Sequence, residues 1–318
     1  MPVDENEILV RAHGLRKRYG DFEAVRGVDF EIRRGEAFGF LGANGAGKST
    51  TMRMIGCVSE PSDGALDLFG LDPHTDGPAI RARLGVVPQD NTLDNMLTVF
   101  ENLTVYAGYF GIKRRTAARR AAELLEFVQL TARSRDKVDD LSGGMQRRLA
   151  IARSLINEPD LALLDEPTTG LDPQARHLLW ERLFQLKQRG VSIVLTTHYM
   201  DEAEQLCDRL VIMDEGRIIA SGSPRELIDT HVTKEVVELR YGGLHTTDLA
   251  DIARTLDGIG SQVEALPDRI LVYTDDGDDT TAALEARDVS PTSVLARRAT
   301  LEDVFLRLTG RALGEDDG

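Results

Sequence analysis

Eight residues, Gly42-Ala43-Asn44-Gly45-Ala46-Gly47-Lys48-Ser49, have the spacing G-x-x-x-x-G-K-[ST]. Glycines at 42, 45 and 47 let the backbone curl until several N–H groups aim at one phosphate. Lys48 is then placed to reach the β- and γ-phosphates of a nucleoside triphosphate, and the Ser49 hydroxyl to ligate Mg²⁺. Such a loop needs a strand before it and a helix after it. The apolar run Ala37-Phe38-Gly39-Phe40-Leu41 reads as a buried strand, and Thr50-Thr51-Met52-Arg53-Met54-Ile55 reads as a helix whose positive end faces the same phosphate. Asn44 and Thr50, inside and just after the loop, belong to the expected nucleotide cradle.

A second set of chemical groups lies at Leu161-Ala162-Leu163-Leu164-Asp165-Glu166. Four apolar residues predict a central strand of a parallel sheet, whose carboxyl end is where ligands sit in α/β folds. Asp165 at that end is expected to hold the Mg²⁺ shell, and Glu166 to polarise an attacking water as general base. A third feature, Leu141-Ser142-Gly143-Gly144-Met145-Gln146, heads an apolar-periodic segment through Leu149, Ile151, Ala152, Leu155 and Ile156. Ser142 therefore stands where a helix N-cap should be, and a helix start bearing Gly143 and Gly144 is a second anion site without a lysine.

One chain has little use for two γ-phosphate sites of its own. The ordered set resembles the ATP-binding subunit of ABC transporters, and that resemblance implies two chains paired head to tail, with the Ser142 helix of one closing over ATP in the other. It also implies roles for residues of weaker individual signal. Tyr19, in Lys17-Arg18-Tyr19-Gly20, matches the aromatic that stacks on adenine; Gln89, in Val86-Val87-Pro88-Gln89, matches the glutamine that reaches Mg²⁺ and the water; His198 matches the switch histidine at the γ-phosphate; and Gly170-Leu171-Asp172 matches the loop by which each site senses its partner. The implied fold is α/β: a P-loop ABC-type ATPase core, with a parallel sheet, an antiparallel β subdomain and a helical insertion, plus a small C-terminal α+β domain. No motif departs from the pattern, so a homodimer with two competent sites is expected. The segment from Thr300 to Gly310 is similar to the terminal helix of ABC-2 type bacterial exporters, and the runs Asp172–Arg182 and Thr197–Glu204 look most like subunits that export nodulation lipo-oligosaccharides, with daunorubicin-type drug exporters close behind.

Bulk properties agree. The 318 residues suit a domain over 1–230, with a helical part over about 90–156, a smaller domain over 231–310 and an acidic tail at 311–318. No apolar run approaches the ~20 residues of a membrane-spanning helix, and the N-terminus is acidic rather than signal-like. The expected location is the cytoplasmic face of the membrane, with the pore supplied by a separate permease subunit. A net charge of −15 argues against nucleic acid as a partner. That weakens the competing reading, a soluble ABC ATPase acting on ribosomes or DNA, which is also short of a second core or a long coiled coil. Cys57 and Cys207 lack metal-type spacing and read as reduced core residues.

Within this frame, residues 8–40 read as strands of the antiparallel subdomain, and Val99–Phe110 and Ala117–Leu130 as amphipathic helices. Most of Phe100, Tyr106, Tyr109 and Phe110 are expected in the core. Arg114-Arg115 and Arg119-Arg120 read as a solvated face balanced by Glu123 and Glu126. Residues 231–310 predict alternating strands (236–239, 269–273, 293–297) and helices (249–256, 281–286, 301–308). The run Asp275-Asp276-Gly277-Asp278-Asp279 reads as a solvated hairpin tip in preference to a Ca²⁺ site.

Overall fold

A computed structural model describes residues 7–242, 246–287 and 290–310. The acidic N-terminal residues 1–6 and the tail 311–318 lie outside the described residues. The chain divides into two compact units between Ser223 and Pro224. The first runs β1 (Ile8–Tyr19), β2 (Phe22–Arg33), β3 (Ala37–Leu41), α1 (Lys48–Ile55), β4 (Asp63–Leu68), α2 (Pro73–Arg81), β5 (Leu84–Val87), α3 (Val99–Tyr109), α4 (Arg114–Phe127), two short 3-10 turns, α5 (Gly143–Ser154), β6 (Leu161–Asp165), α6 (Pro173–Gln188), β7 (Ser192–Thr197), α7 (Met200–Leu206), β8 (Arg209–Asp214) and β9 (Arg217–Gly222).

Two sheets organise these elements. A six-stranded sheet has the order β5-β6-β7-β3-β8-β9, parallel except for β9. Every residue of β3 and β7 is buried, as a strand covered on both faces demands. A three-stranded antiparallel sheet has the order β2-β1-β4. The expectation that 8–40 is wholly antiparallel is thus corrected at both ends: β3 joins the parallel sheet, and β4 from beyond the phosphate-type loop completes the antiparallel one. Phe30 of β2 packs on Phe38 and Phe40 of β3, with centroids 6.2 and 5.1 Å away, so the two sheets share one core. That core is what makes β3 a rigid stem for the loop that follows it.

The helical part is α3, α4 and α5. α3 begins with a capping box in which Thr98 and Glu101 satisfy each other's backbone N–H groups. It buries Val99, Asn102, Leu103 and Ala107. Of the four aromatics, most of them expected in the core, none is fully buried: Phe100, Tyr106 and Phe110 are half-buried and Tyr109 is 81% exposed. They fall off the buried face, and Tyr106 instead meets Tyr109 and Phe110 edge to face. In α4, Arg119 pairs with Glu123 as expected, whereas Arg120 turns inward to the Ile156 carbonyl and Glu158.

The second unit runs α8 (Pro224–His231), β10 (Glu235–Arg240), α9 (Thr246–Thr255), β11 (Gln262–Ala265), β12 (Arg269–Thr274), α10 (Gly277–Ala286), β13 (Ser293–Arg298) and α11 (Leu301–Thr309). Its start lies ahead of the expected boundary at residue 230, because α8 packs on α11. An antiparallel sheet in the order β11-β12-β10-β13 buries Val237, Leu239, Ile270 and Val272 against Leu249 of α9 and Leu256 just after it. β11 is absent from the sequence expectation, having only four residues, none of them buried. The acidic run is a helix start and not a hairpin tip: Asp276 caps α10 by accepting the Asp279 N–H at 3.0 Å, with Asp278 and Asp279 in the first turn.

Candidate nucleotide site

Strand order decides what meets at the site. β7 lies between β3 and β6, so the loop leaving β3 and the carboxylates ending β6 emerge at the same sheet edge. The loop fits only without side chains at two glycines. A Cβ at Gly42 would lie 2.3 Å from the Met213 carbonyl oxygen; Gly47 has φ +102 and its Cβ would lie 2.6 Å from the Ala24 carbonyl oxygen. Lys48, buried, folds over the loop and donates from Nζ to the carbonyls of Gly42 and Ala43 at 2.7 and 2.9 Å. Burial pulls its ammonium below the usual lysine value, and Glu166 and Asp165 oppose that shift. The ammonium is therefore held where anions are in demand, inside a loop of carbonyls and N–H groups.

The carboxylates form a connected set. The Ser49 hydroxyl donates to Asp165 Oδ1 at 3.1 Å, and Thr196, the β7 residue paired with Asp165, donates to the same oxygen at 2.5 Å. Thr196 also accepts the Glu166 N–H at 2.9 Å. Glu166 has φ +44, a left-handed conformation that a residue with a side chain adopts only when its surroundings enforce it. Its Oε2 accepts from Gln89 Nε2 at 3.2 Å and from the Thr169 hydroxyl at 3.0 Å. His198 Nδ1 lies 3.5 Å from Glu166 Oε1, outside hydrogen-bond geometry. The His198 imidazole, first, holds the Glu166 carboxyl below the usual range; burial opposes this, and the Thr169 hydroxyl and the Lys48 ammonium add to it. A carboxylate aimed by two hydrogen bonds and a neighbouring imidazole is suited to orient and polarise a water molecule.

The structure thus brings Lys48, Ser49, Gln89, Asp165, Glu166 and His198 into one cluster. Ser142 sits elsewhere, as N-cap of α5, its hydroxyl accepting the Met145 N–H at 3.4 Å. Gly143 and Gln89 line a common cavity with Thr169 and Gly170. Tyr19 ends β1 at the hairpin tip, its ring 47% exposed and the Lys17 ammonium 5.2 Å from its centroid. Asp172 caps α6 by accepting the Ala175 N–H at 2.9 Å. Asn44 and Gly45 are exposed on the loop, whereas Thr50 is half-buried at the start of α1.

Sequence reasoning missed Thr196, Thr169 and above all Arg147. The Arg147 guanidinium donates to the carbonyls of Pro88 (2.6 Å), Asp165 (2.6 Å), Pro167 (2.9 Å), Glu166 (3.0 Å) and Gln89 (3.4 Å). Burial lowers its pKa, countered by Asp165, Glu202 and Glu166. A signal was available: Arg147 precedes the buried Ala150 and Ile151 by three and four residues, so a permanent charge stands on the apolar face of α5.

Relatives place this geometry. The chain is 46% identical over 305 residues to "Nod factor export ATP-binding protein I" of Cupriavidus metallidurans, covering 96% of this chain and 98% of that one. It is 47% identical over 309 residues to the protein of the same name from Ralstonia nicotianae, covering 96% and 95%. The chain belongs to the ABC transporter ATP-binding family. The ABC transporter model matches residues 25–169, and that of the nodulation factor export protein NodI, C-terminal domain, matches 249–310. Among solved structures, the ATP-binding subunit of an ABC transporter superposes with TM-score 0.64 at 33% identity over 70% of this chain and 92% of that one. An ATP-binding cassette solved as a post-hydrolysis dimer with ADP and Pi gives TM-score 0.62 at 28% identity, over 67% and 98%. As a member of this ABC family the chain binds ATP and hydrolyses it.

Proposed function

We propose that this chain is the ATP-hydrolysing subunit that drives export of a lipo-oligosaccharide or similar amphiphile through a separate membrane-spanning permease of ABC-2 type. The observation that carries the reading is the match of both units, core and C-terminal domain, to relatives whose names specify Nod factor export. Those relatives align over 94–98% of this chain, so both units are shared. Among the described residues no helix is long and apolar enough to cross a membrane, in keeping with a pore supplied by another polypeptide and attachment at the cytoplasmic face. A docking surface for that polypeptide is available beside α3, where Val105 and Tyr109 are exposed next to a groove lined by Val86, Tyr106 and Phe110.

In the proposed mechanism Lys48 and the loop N–H groups neutralise the β- and γ-phosphates, and Tyr19 stacks on adenine. Ser49 and Asp165, already 3.1 Å apart, and Gln89 offer the hydroxyl, carboxylate and amide oxygens that a hard cation prefers, so Mg²⁺ fits here. When bound, Mg²⁺ supplies charge neutralisation at the phosphates. Glu166 takes the proton of the attacking water, oriented by Gln89 and Thr169, and His198 contacts the γ-phosphate. Ser142, Gly143 and Gly144 of one chain close over the ATP held by Lys48 of a second copy. Binding does the mechanical work and hydrolysis resets it.

The test is Glu166→Gln with ATP. It should bind ATP, turn over about 10²–10⁴ times more slowly and accumulate as a dimer in sedimentation, and in native membranes it should co-purify with a polytopic membrane protein. Wild-type turnover would remove Glu166 as base. Recovery of ribosomal proteins alone would replace the transport reading.

A further inference from the structure

We propose that Arg147 is a positioning residue that ties α5, the helix capped by Ser142, to the catalytic carboxylate of its own chain, so that engagement of Ser142 by a partner's nucleotide is felt at Glu166 and Gln89. The inference rests on the head-to-tail reading above. Arg147 lies on the second turn of α5, the helix that Ser142 caps. Its fork spans two segments past the last β5–β6 pair, Val87 with Leu164: Pro88 and Gln89 beyond β5, and Asp165 at the end of β6 with Glu166 and Pro167 after it. Glu166 is held left-handed at φ +44 by three bonds to its backbone: its N–H donates to Thr196, and its carbonyl accepts from Arg147 at 3.0 Å and, more weakly, from the Thr169 N–H at 3.4 Å. A shift of α5 therefore cannot leave the Glu166 backbone undisturbed.

Neighbouring bonds make α5 and the Gln89 loop move together. Asn91 donates to Gln146 Oε1 at 2.6 Å, and Arg153, further along α5, donates to the Thr92 carbonyl at 2.6 Å. Arg147 is the member of this set that also reaches the β6 end. Lysine could keep the charge but not the planar fork, which here serves five acceptors in two directions. The guanidinium touches no reacting atom in this arrangement; it acts through the backbone that carries Gln89 and Glu166.

Full-length Arg147→Lys and Arg147→Ala would be compared with wild type by ATP binding at equilibrium and by turnover across ATP concentration, with rates expressed per bound nucleotide. The expected result is ATP affinity within about threefold, kcat lower by about tenfold or more, and a Hill coefficient that falls from above 1 towards 1. Loss of folded protein alone would lower the number of binding sites and leave the rate per site unchanged, which overturns the positioning role. So does Arg147→Lys with wild-type kcat. A wild-type Hill coefficient of 1 overturns the coupling between sites. If Glu166→Gln stays monomeric with ATP, the head-to-tail reading fails and the coupling with it; the kcat-against-affinity split then still decides whether Arg147 positions Glu166 within one chain.

Discussion

Thr196→Val removes one oxygen from the site and keeps the volume, yet that oxygen makes two bonds. It accepts the buried Glu166 N–H at 2.9 Å and donates to Asp165 Oδ1 at 2.5 Å. Thr196 is fully buried, so water cannot take its place at the N–H. A buried donor left unpaired costs about 1–3 kcal/mol, and Asp165 loses one of two hydroxyl partners while keeping Ser49. A net loss of about 2 kcal/mol corresponds to a melting temperature lower by about 4–8 °C for a unit of this size. Glu166 also loses the bond from its N–H, leaving φ +44 held only through its carbonyl, so the carboxylate should drift from its aim and kcat should fall about tenfold to a hundredfold. ATP affinity should hold, because Lys48 and its loop are untouched. Thermal melts followed by circular dichroism, phosphate-release kinetics and ATP titration measure the three quantities, and Thr196→Ser, which keeps the oxygen, should recover most of the loss. A valine variant that melts and turns over like wild type would refute the reasoning, and a serine variant as impaired as valine would shift the cause to packing of the methyl group.

Two further outcomes follow from single positions. Glu202 is fully buried, donated to by Trp180 Nε1 at 3.3 Å, with Oε2 unpaired, and burial raises its carboxyl pKa. The folded state thus holds this proton more tightly than the unfolded chain does; the associated stability is complete below the ordinary carboxylate value of 4.5 and declines as pH rises from there through the raised one. Glu202→Gln should lack that decline and gain on wild type as pH rises above 4.5 in urea midpoints, whereas parallel curves would show that Glu202 ionises without penalty. Gly47→Ala forces a left-handed alanine with its Cβ 2.6 Å from the Ala24 carbonyl oxygen, and ATP titration should find affinity reduced about tenfold or more; unchanged affinity would mean that the loop has room the structure denies it.

The loop at 42–49, the strand ahead of it and the carboxylates at 165 and 166 were legible because each is a contiguous run whose residue types have one physical use. Gln89 and His198 carried little signal alone and depended on the resemblance for their roles. Thr196 and Thr169 were hidden because a threonine at a strand end or in a turn is ordinary, and only the pairing of β6 with β7 turns Thr196 towards Asp165. The aromatics of α3 were misread because spacing marks a face without saying what covers it; Val99, Leu103 and Ala107 took the core and left Tyr109 in solvent. The acidic run at 275–279 reads as a turn from sequence because the helix it begins, Gly277–Ala286, opens with Gly-Asp-Asp-Thr-Thr, residues poor in helix propensity and good at capping.

By itself the sequence determined that a phosphate-type loop ending in Lys48 and Ser49 stands between a strand and a helix, that acids follow a buried strand, and that a capped glycine pair starts a separate helix. These are local facts, set by backbone freedom at glycine, strand apolarity and helix capping, and they need no knowledge of distant segments. Tertiary structure alone decided that β7 would lie between β3 and β6, so that one threonine links Asp165 to Glu166, and that Arg147 would span five carbonyls from two loops. Carbonyls carry no residue identity, so the partners of that guanidinium exist only once the chain has folded.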